Sequence, residues 1–342
     1  PPVFSEDRLL EHVTWLADPA RQGRGIGTEG LEQAADWVAE RFAEAGLRPG
    51  GTDGWFQRFD TEGPDGETTV RNVVGVLPGA DPKIGEQAVL ITAHYDHLGR
   101  GWPEARAAER GKLHLGADDN ASGVAVMIEL AAAMAAGEAP PRTVVFVAFT
   151  AEEAGLLGAR HWVGDPTPVE LDDVYAVVNL DTVGRLGEGP LQVLATGSTS
   201  EWVHVVRGVG FVTGVTAKSV PGSGEASDQQ AFLEQGIPAI QIFTGPHEDY
   251  HRSSDTLDDI DAAGMVRVAT FVQETVAYLV ERPEPLTVTI AGSESESAPA
   301  PSSGRRVSFG IVPSFGAPGP GVLADSIVEG SPAAAAGLLA GD

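Results

Sequence analysis

The sequence contains no cysteine. Disulfides, thiolate zinc sites, iron–sulfur clusters and a cysteine nucleophile are therefore excluded, and any metal must be held by histidine and carboxylate side chains. Basic residues are scarce: 22 Lys and Arg stand against 49 Asp and Glu, a net charge of −27. A field that negative repels phosphate backbones and anionic lipid surfaces, which argues against nucleic acid and membrane-surface partners. Long apolar runs are also missing. The longest candidate, residues 123–136, is too short to cross a membrane and carries Glu129. No internal repeat is visible. What is present is a chain of 342 residues, 42% hydrophobic and 21% charged. That is the balance of a globular protein with one large α/β domain and a small appendage.

Apolar spacing predicts a helix over residues 5–18, with Leu9, Leu10, Val13 and Leu16 on one side, and a second from Leu31 to Gly46. Strands and helices then alternate. Strands are expected over 73–77, 88–93, 143–149, 174–180, 191–195 and 239–243, and helices over 122–136, 152–162, 200–207, 227–234 and 257–281. This alternation implies an α/β fold with a mostly parallel sheet sandwiched between helices. In such sheets ligands bind beyond the carboxyl ends of the strands. Residues 283–304 are rich in Pro, Ser and Glu and read as a linker. The expected organisation is a domain over 1–282, this linker, and a small piece over 305–342.

Five polar clusters fall at or beside expected strand ends: His94-Tyr95-Asp96-His97, Asp118-Asp119-Asn120 before a helix, Glu152-Glu153, Asn179-Leu180-Asp181, and His247-Glu248-Asp249-Tyr250-His251. Each alone also fits a structural role. Asp118, Asp119 and Asn120 could cap a helix, the glutamates could favour a helix dipole, and the histidines could sit satisfied in a core. Together on one rim they place like charges at a cost that a pair of divalent cations would relieve, and N/O ligands suit zinc. Two literal motifs lack their context. Gly25-Ile26-Gly27-Thr28-Glu29-Gly30 fits the dinucleotide G-x-G-x-x-G but follows a helix instead of a strand. The H-E-x-x-H at 247–251 lies between Gly245-Pro246 and a polar run, which reads as loop.

The ordered motifs HYDHLG, GADDNASG, AEEAG, NLD and DYHRSSDT resemble those of the M28 family of co-catalytic zinc aminopeptidases, over roughly residues 5–282. The resemblance implies a mixed, mostly parallel sheet of the zinc exopeptidase type and two zinc ions per chain. It implies that Asp118 bridges the ions, His94 and Asp181 complete one, and Glu153 and His251 the other. Glu152 would be the general base, Asp96 would orient His94, Asp119 would support the ligands without touching metal, the Asp118–Asp119 peptide bond would be cis, and Tyr250 would bind the developing oxyanion. Ser227-Asp228-Gln229 departs from the common Ser-Asp-His, so substrate-pocket residues stay unassigned. The implied substrates are peptides with a free N-terminus. A carboxypeptidase or dipeptidase, a glutaminyl cyclase and a non-catalytic receptor are alternatives within the same fold. The chain begins at Pro1, and an exported, periplasmic or extracellular protein whose leader is not part of this sequence is expected. The tail resembles the start of a PDZ domain, through Val307 to Ile311, Val322, and Val328-Glu329-Gly330-Ser331-Pro332-Ala333 with Ala336-Gly337-Leu338.

Overall fold

The computed structural model describes residues 4–103, 105, 108–222, 227–290, 311–313, 324–327 and 332–339. The chain divides into two compact units, Pro1–Gly245 with Asp249–Ser293, and Pro246–Glu248 with Glu294–Asp342.

The first unit opens with α1 (Glu6–Leu16) and α2 (Glu29–Ala45). Thr28 starts α2, its hydroxyl accepting from Leu31 N at 3.2 Å, while Glu29 and Glu32 favour the first-turn dipole. Next come β1 (Arg48–Pro49), β2 (Phe56–Gly63), β3 (Gly66–Leu77) and β4 (Ala88–His94), then α3 (Gly123–Ala135), β5 (Thr143–Phe149), α4 (Leu157–Gly164) and β6 (Val174–Leu180). The unit closes with β7 (Leu191–Leu194), α5 (Trp202–Thr213), β8 (Ala217–Ser219), α6 (Gln229–Leu233), β9 (Ala239–Phe243) and α7 (Ala262–Glu281).

The strands form one sheet in the order β1-β3-β5-β4-β6-β9-β7-β8, with β2 paired to β3. Its centre, β5-β4-β6-β9, is parallel. The flanking contacts of β3 with β5 and of β7 with β9 are antiparallel, so the sheet is mixed. Both faces of this centre are buried, which is why β5 reads TVVFVAF without polar alternation. Val144, Phe146 and Ala148 face one core with residues of α1, α2, α3 and α7, and Val145, Val147 and Phe149 face the other with Trp162 and Phe232. Truncating Phe146 or Trp162 would cost about 3–5 kcal/mol. The parallel centre gives the fold its functional edge, because the C-terminal ends of β4, β5, β6 and β9 emerge on one rim.

Several boundaries differ from the sequence expectation. The hairpin of β2 with β3 was not foreseen, since its exposed half carries polar residues such as Asp60, Glu62 and Glu67. Helix α4 starts at Leu157, because Glu152 to Gly155 form a turn over the strand end. Residues 283–290, inside the expected linker, pack into the first unit. Ser200 N donates to Thr287 O, Thr289 N donates to Ser198 O, and Leu286 is buried.

In the second unit β10 (Ile311–Pro313) pairs antiparallel with β11 (Ala324–Ile327), and Pro332–Ala335 form the short helix α8. Most residues carrying the PDZ resemblance, including 305–310, Val322 and 328–331, lie outside the described residues. Among the described residues no helix is long and apolar enough to cross a membrane.

Candidate metal and active site

Strand ends and the loops after them bring the predicted side chains together. His94 ends β4 opposite Phe149 of β5, and the next residues of that neighbour, Thr150 to Glu153, turn over the rim. Asp181 follows β6 directly. Asp96 is fully buried and its carboxylate accepts from the amides of Glu152 at 3.2 Å and Glu153 at 3.4 Å, locking the glutamate turn to the His94 loop. Its Oδ1 is 3.6 Å from His94 Nδ1, beyond hydrogen-bond length, and that ring nitrogen meets the Asp96 carbonyl at 3.2 Å instead. Asp96 thus orients His94 through its backbone oxygen.

The Asp118-Asp119-Asn120 stretch corrects two expectations. The cis peptide bond is Asp119–Asn120, one residue later than expected. Asp118, expected between the metals, is held by other groups. Its Oδ1 accepts from Gly184 N at 2.6 Å and Ser122 Oγ at 3.0 Å, and its Oδ2 lies 3.6 Å from Arg185 Nε. Asn120 clamps the start of α3 to the end of β6 through Leu180 O, Thr182 N and Gly123 N. Of the three, Asp119 presents its carboxylate to the histidines. Oδ1 is 3.3 Å from His94 Nε2, and Oδ2 is 3.3 Å from His251 Nε2. Gly116 allows this turn. At φ +59°, a Cβ there would meet Asp119 O at 2.1 Å and His97 at 2.6 Å.

Around Asp119 the groups fall into two sets. His94 Nε2 is 3.5 Å from Asp181 Oδ1, and His94, Glu152 and Asp181 offer ligand atoms within 4.8 Å of one another. His251 Nε2 is 3.0 Å from Glu153 Oε2, while His97, Asp119 and Glu153 form a second such group. His97 received no role from the sequence although it belongs to the same HYDH motif. Its Nδ1 is 2.7 Å from Glu153 Oε1. Tyr250 stacks on His251 with ring centroids 4.0 Å apart.

Two other residues of the quoted motifs received no role from the sequence. Asp255, four positions after His251, is buried and accepts from the amides of Asp118 and Asp119 and from Arg185 Nη2 at 2.9 Å. Asp228 is buried with neither carboxylate oxygen hydrogen-bonded, and burial together with the charges of Asp96 and Asp181, against the pull of His94, raises its pKa to about 8. Its neighbour Gln229, where histidine is common, serves a buried amide network. It accepts from Asn179 Nδ2 at 3.0 Å and donates to Gln241 Oε1 at 3.0 Å.

The electrostatics are those of a site short of positive charge. Burial disfavours the charged form of His94, but Glu152, Asp119, Asp181 and Asp96 outweigh it and hold its pKa well above the ordinary value. His251 is raised likewise, burial being outweighed by Glu153 and Asp119. Burial also opposes ionisation of Asp119 and Glu153. Their imidazole neighbours prevail, keeping Asp119 well below the usual carboxylate range and Glu153 at about 2. Glu152 goes the other way. Burial raises its pKa well above normal and Glu153, Asp228 and Asp181 add to this, against His94. The pKa values of the two adjacent glutamates are thereby pushed in opposite directions. Asp119 Oδ2 is buried without a hydrogen bond. An unsatisfied buried carboxylate oxygen amid histidines and acids fits a divalent cation, and imidazole with carboxylate suits zinc.

Comparison with known proteins gives a family and a fold. The family model described as Peptidase family M28 matches residues 72–276. Aminopeptidase YwaD of Bacillus subtilis is 28% identical over 223 residues, covering 63% of this chain and 46% of its own length, so the chain spans about half of that relative. Among solved structures, a zinc aminopeptidase from Bacillus subtilis superposes with a TM-score of 0.68 at 18% identity, covering 82% of this chain and 96% of the other. A glutaminyl cyclase from Porphyromonas gingivalis gives a TM-score of 0.68 at 21% identity, covering 81% and 99%. These two likenesses show the shared fold. The matched family segment covers more than half of the sequence and contains the strands and turns that carry His94, Asp119, Glu152, Glu153, Asp181 and His251, and the chain therefore belongs to peptidase family M28.

Proposed function

We propose that the chain is a di-zinc aminopeptidase that removes N-terminal residues from peptides. The observation that carries this reading is the position of Asp119, whose two carboxylate oxygens each lie 3.3 Å from a different histidine, His94 and His251. In this reading Asp119 would help hold two ions, one with each carboxylate oxygen's histidine neighbour. His94 and Asp181 complete one set, Glu153 and His251 the other, and His97 orients Glu153 through its 2.7 Å contact. A bound pair of zinc ions supplies Lewis acidity toward a water and a peptide carbonyl.

The chain's own residues do the rest. Glu152, with its raised pKa, takes a proton from the attacking water and delivers it to the leaving amine. Tyr250 stays protonated, since burial and the charges of Asp119, Glu153, Asp181 and Glu152 raise its pKa well above normal. Its hydroxyl can donate to the developing oxyanion. The acidic rim favours an ammonium group, which supports cleavage next to a free N-terminus, with apolar residues such as Leu preferred there. An exported location belongs to the same reading.

The test is a panel of leucyl chromogenic substrates with free or acetylated amines. Cleavage confined to the free amine is expected. Equal cleavage of both, or release only from the C-terminus, contradicts the reading, and conversion of N-terminal glutamine to a ring without peptide cleavage would assign the chain to cyclase chemistry.

A further inference from the structure

The glycine-rich stretch that fails as a dinucleotide fingerprint has a second use, and it centres on Arg24. Arg24 is wholly buried. Its guanidinium donates to four main-chain carbonyls: Nε to Tyr95 O at 2.7 Å, Nη1 to Leu16 O at 2.7 Å and Leu115 O at 2.8 Å, and Nη2 to Gly116 O at 2.8 Å. None of these acceptors is a carboxylate. Tyr95 follows the candidate ligand His94, and Gly116 begins the turn that presents Asp119. The main chain is bound to the same loops, since His97 N donates to Arg24 O at 3.1 Å and Gly99 N to Gly23 O at 3.2 Å.

The backbone is forced to reach this position. Gln22, Gly23 and Arg24 all have left-handed φ, of 53°, 62° and 47°. For each residue other than glycine that conformation costs about 1–2 kcal/mol, and it persists where surrounding contacts impose it. Gly23 has no alternative. A Cβ there would lie 2.0 Å from His114 O. The resulting strap passes between the loop after β4 and the loop before α3. Burial lowers the Arg24 pKa to about 10, while Asp119, Asp96, Asp255 and Glu153 pull the other way, so the side chain remains a cation at neutral pH.

We propose that Arg24 is a positioning residue of the metal site: its buried guanidinium ties the His94–Gly99 loop to the Leu115–Asp119 loop, and so sets the ligand arrangement before any cation binds. The inference rests on the metal-site reading above. Lysine offers three donors from a point charge and cannot reproduce the fork that spans four carbonyls.

Hydrogen exchange on the metal-stripped wild-type chain tests this directly. The amides of His97 and Gly99 should be protected to a degree near that of β4 without zinc. Exchange as fast as an open loop until zinc is added would overturn the proposal. In parallel, zinc titrations of stripped Arg24→Met and Arg24→Lys read the same hold. Arg24→Met should bind zinc about 10–100-fold more weakly, the range for groups that orient ligands, with a smaller loss for Arg24→Lys. Wild-type affinity in a folded Arg24→Met would overturn the proposal. Should neither variant fold, the exchange pattern decides. Failure of the wild-type chain itself to take up zinc would overturn the metal-site reading, while the exchange pattern would still report whether Arg24 fixes the loops.

Discussion

Asp118 and Asp119 are consecutive in the chain, yet their carboxylates serve different partners. Asp118 Oδ1 accepts from Gly184 N at 2.6 Å, whereas Asp119 Oδ1 lies 3.3 Å from His94 Nε2. Asp119→Ala should reduce bound zinc below one ion per chain. Asp118→Asn should keep zinc but weaken the charge-assisted contacts to Gly184 and Arg185, lowering stability by about 1–3 kcal/mol. Elemental analysis after dialysis, with thermal melts, separates the two. The reverse pattern would return the bridging role to Asp118.

Glu152→Gln preserves size and removes the base. Zinc content should be unchanged and turnover should fall about 10²–10⁴-fold. Near wild-type turnover in a zinc-loaded Glu152→Gln would remove Glu152 from the chemistry.

Zinc uptake should release protons. The raised pKa values of His94 and His251 favour the protonated rings in the metal-free chain. Ligation requires neutral imidazole, so affinity should rise with pH, by about tenfold per pH unit for each proton displaced, and level off above the raised pKa values. Calorimetric titrations in buffers of different ionisation enthalpy measure the protons directly. Buffer-independent heats at pH 7 would contradict the assignment.

The end of the first unit is a further point of test. A chain stopped at residue 290 should melt near the full-length temperature. One stopped at Arg282 loses buried Leu286 and the bonds of Thr287 to Glu201 and of Thr289 to Ser198, and should be less stable by about 2 kcal/mol or more. Equal melting of the two would show that this segment contributes nothing to the first unit.

The buried strands of the sheet were legible because their signal is local. TVVFVAF at β5 and the run at β6 are continuous apolar stretches that form strands over the residues expected. Helix starts were less so. The Glu152-Glu153 turn delays α4 to Leu157, because Asp96, distant in sequence, holds the two amides. The motif residues are brought together by the fold, but the choice between Asp118 and Asp119 depends on which carboxylate Gly184 and Arg185 capture, and no local pattern carries that. The roles of Arg24 and Asp255 were not legible for the same reason, as each acts through backbone groups brought together only by the fold.

The central claim is a pair of cations around Asp119, and a zinc titration of the metal-stripped wild-type chain tests it most directly. The account predicts saturation at two zinc ions per chain and, in Asp119→Ala, loss of both binding events. Saturation at one ion or fewer, or two ions bound with unchanged affinity by Asp119→Ala, would contradict it.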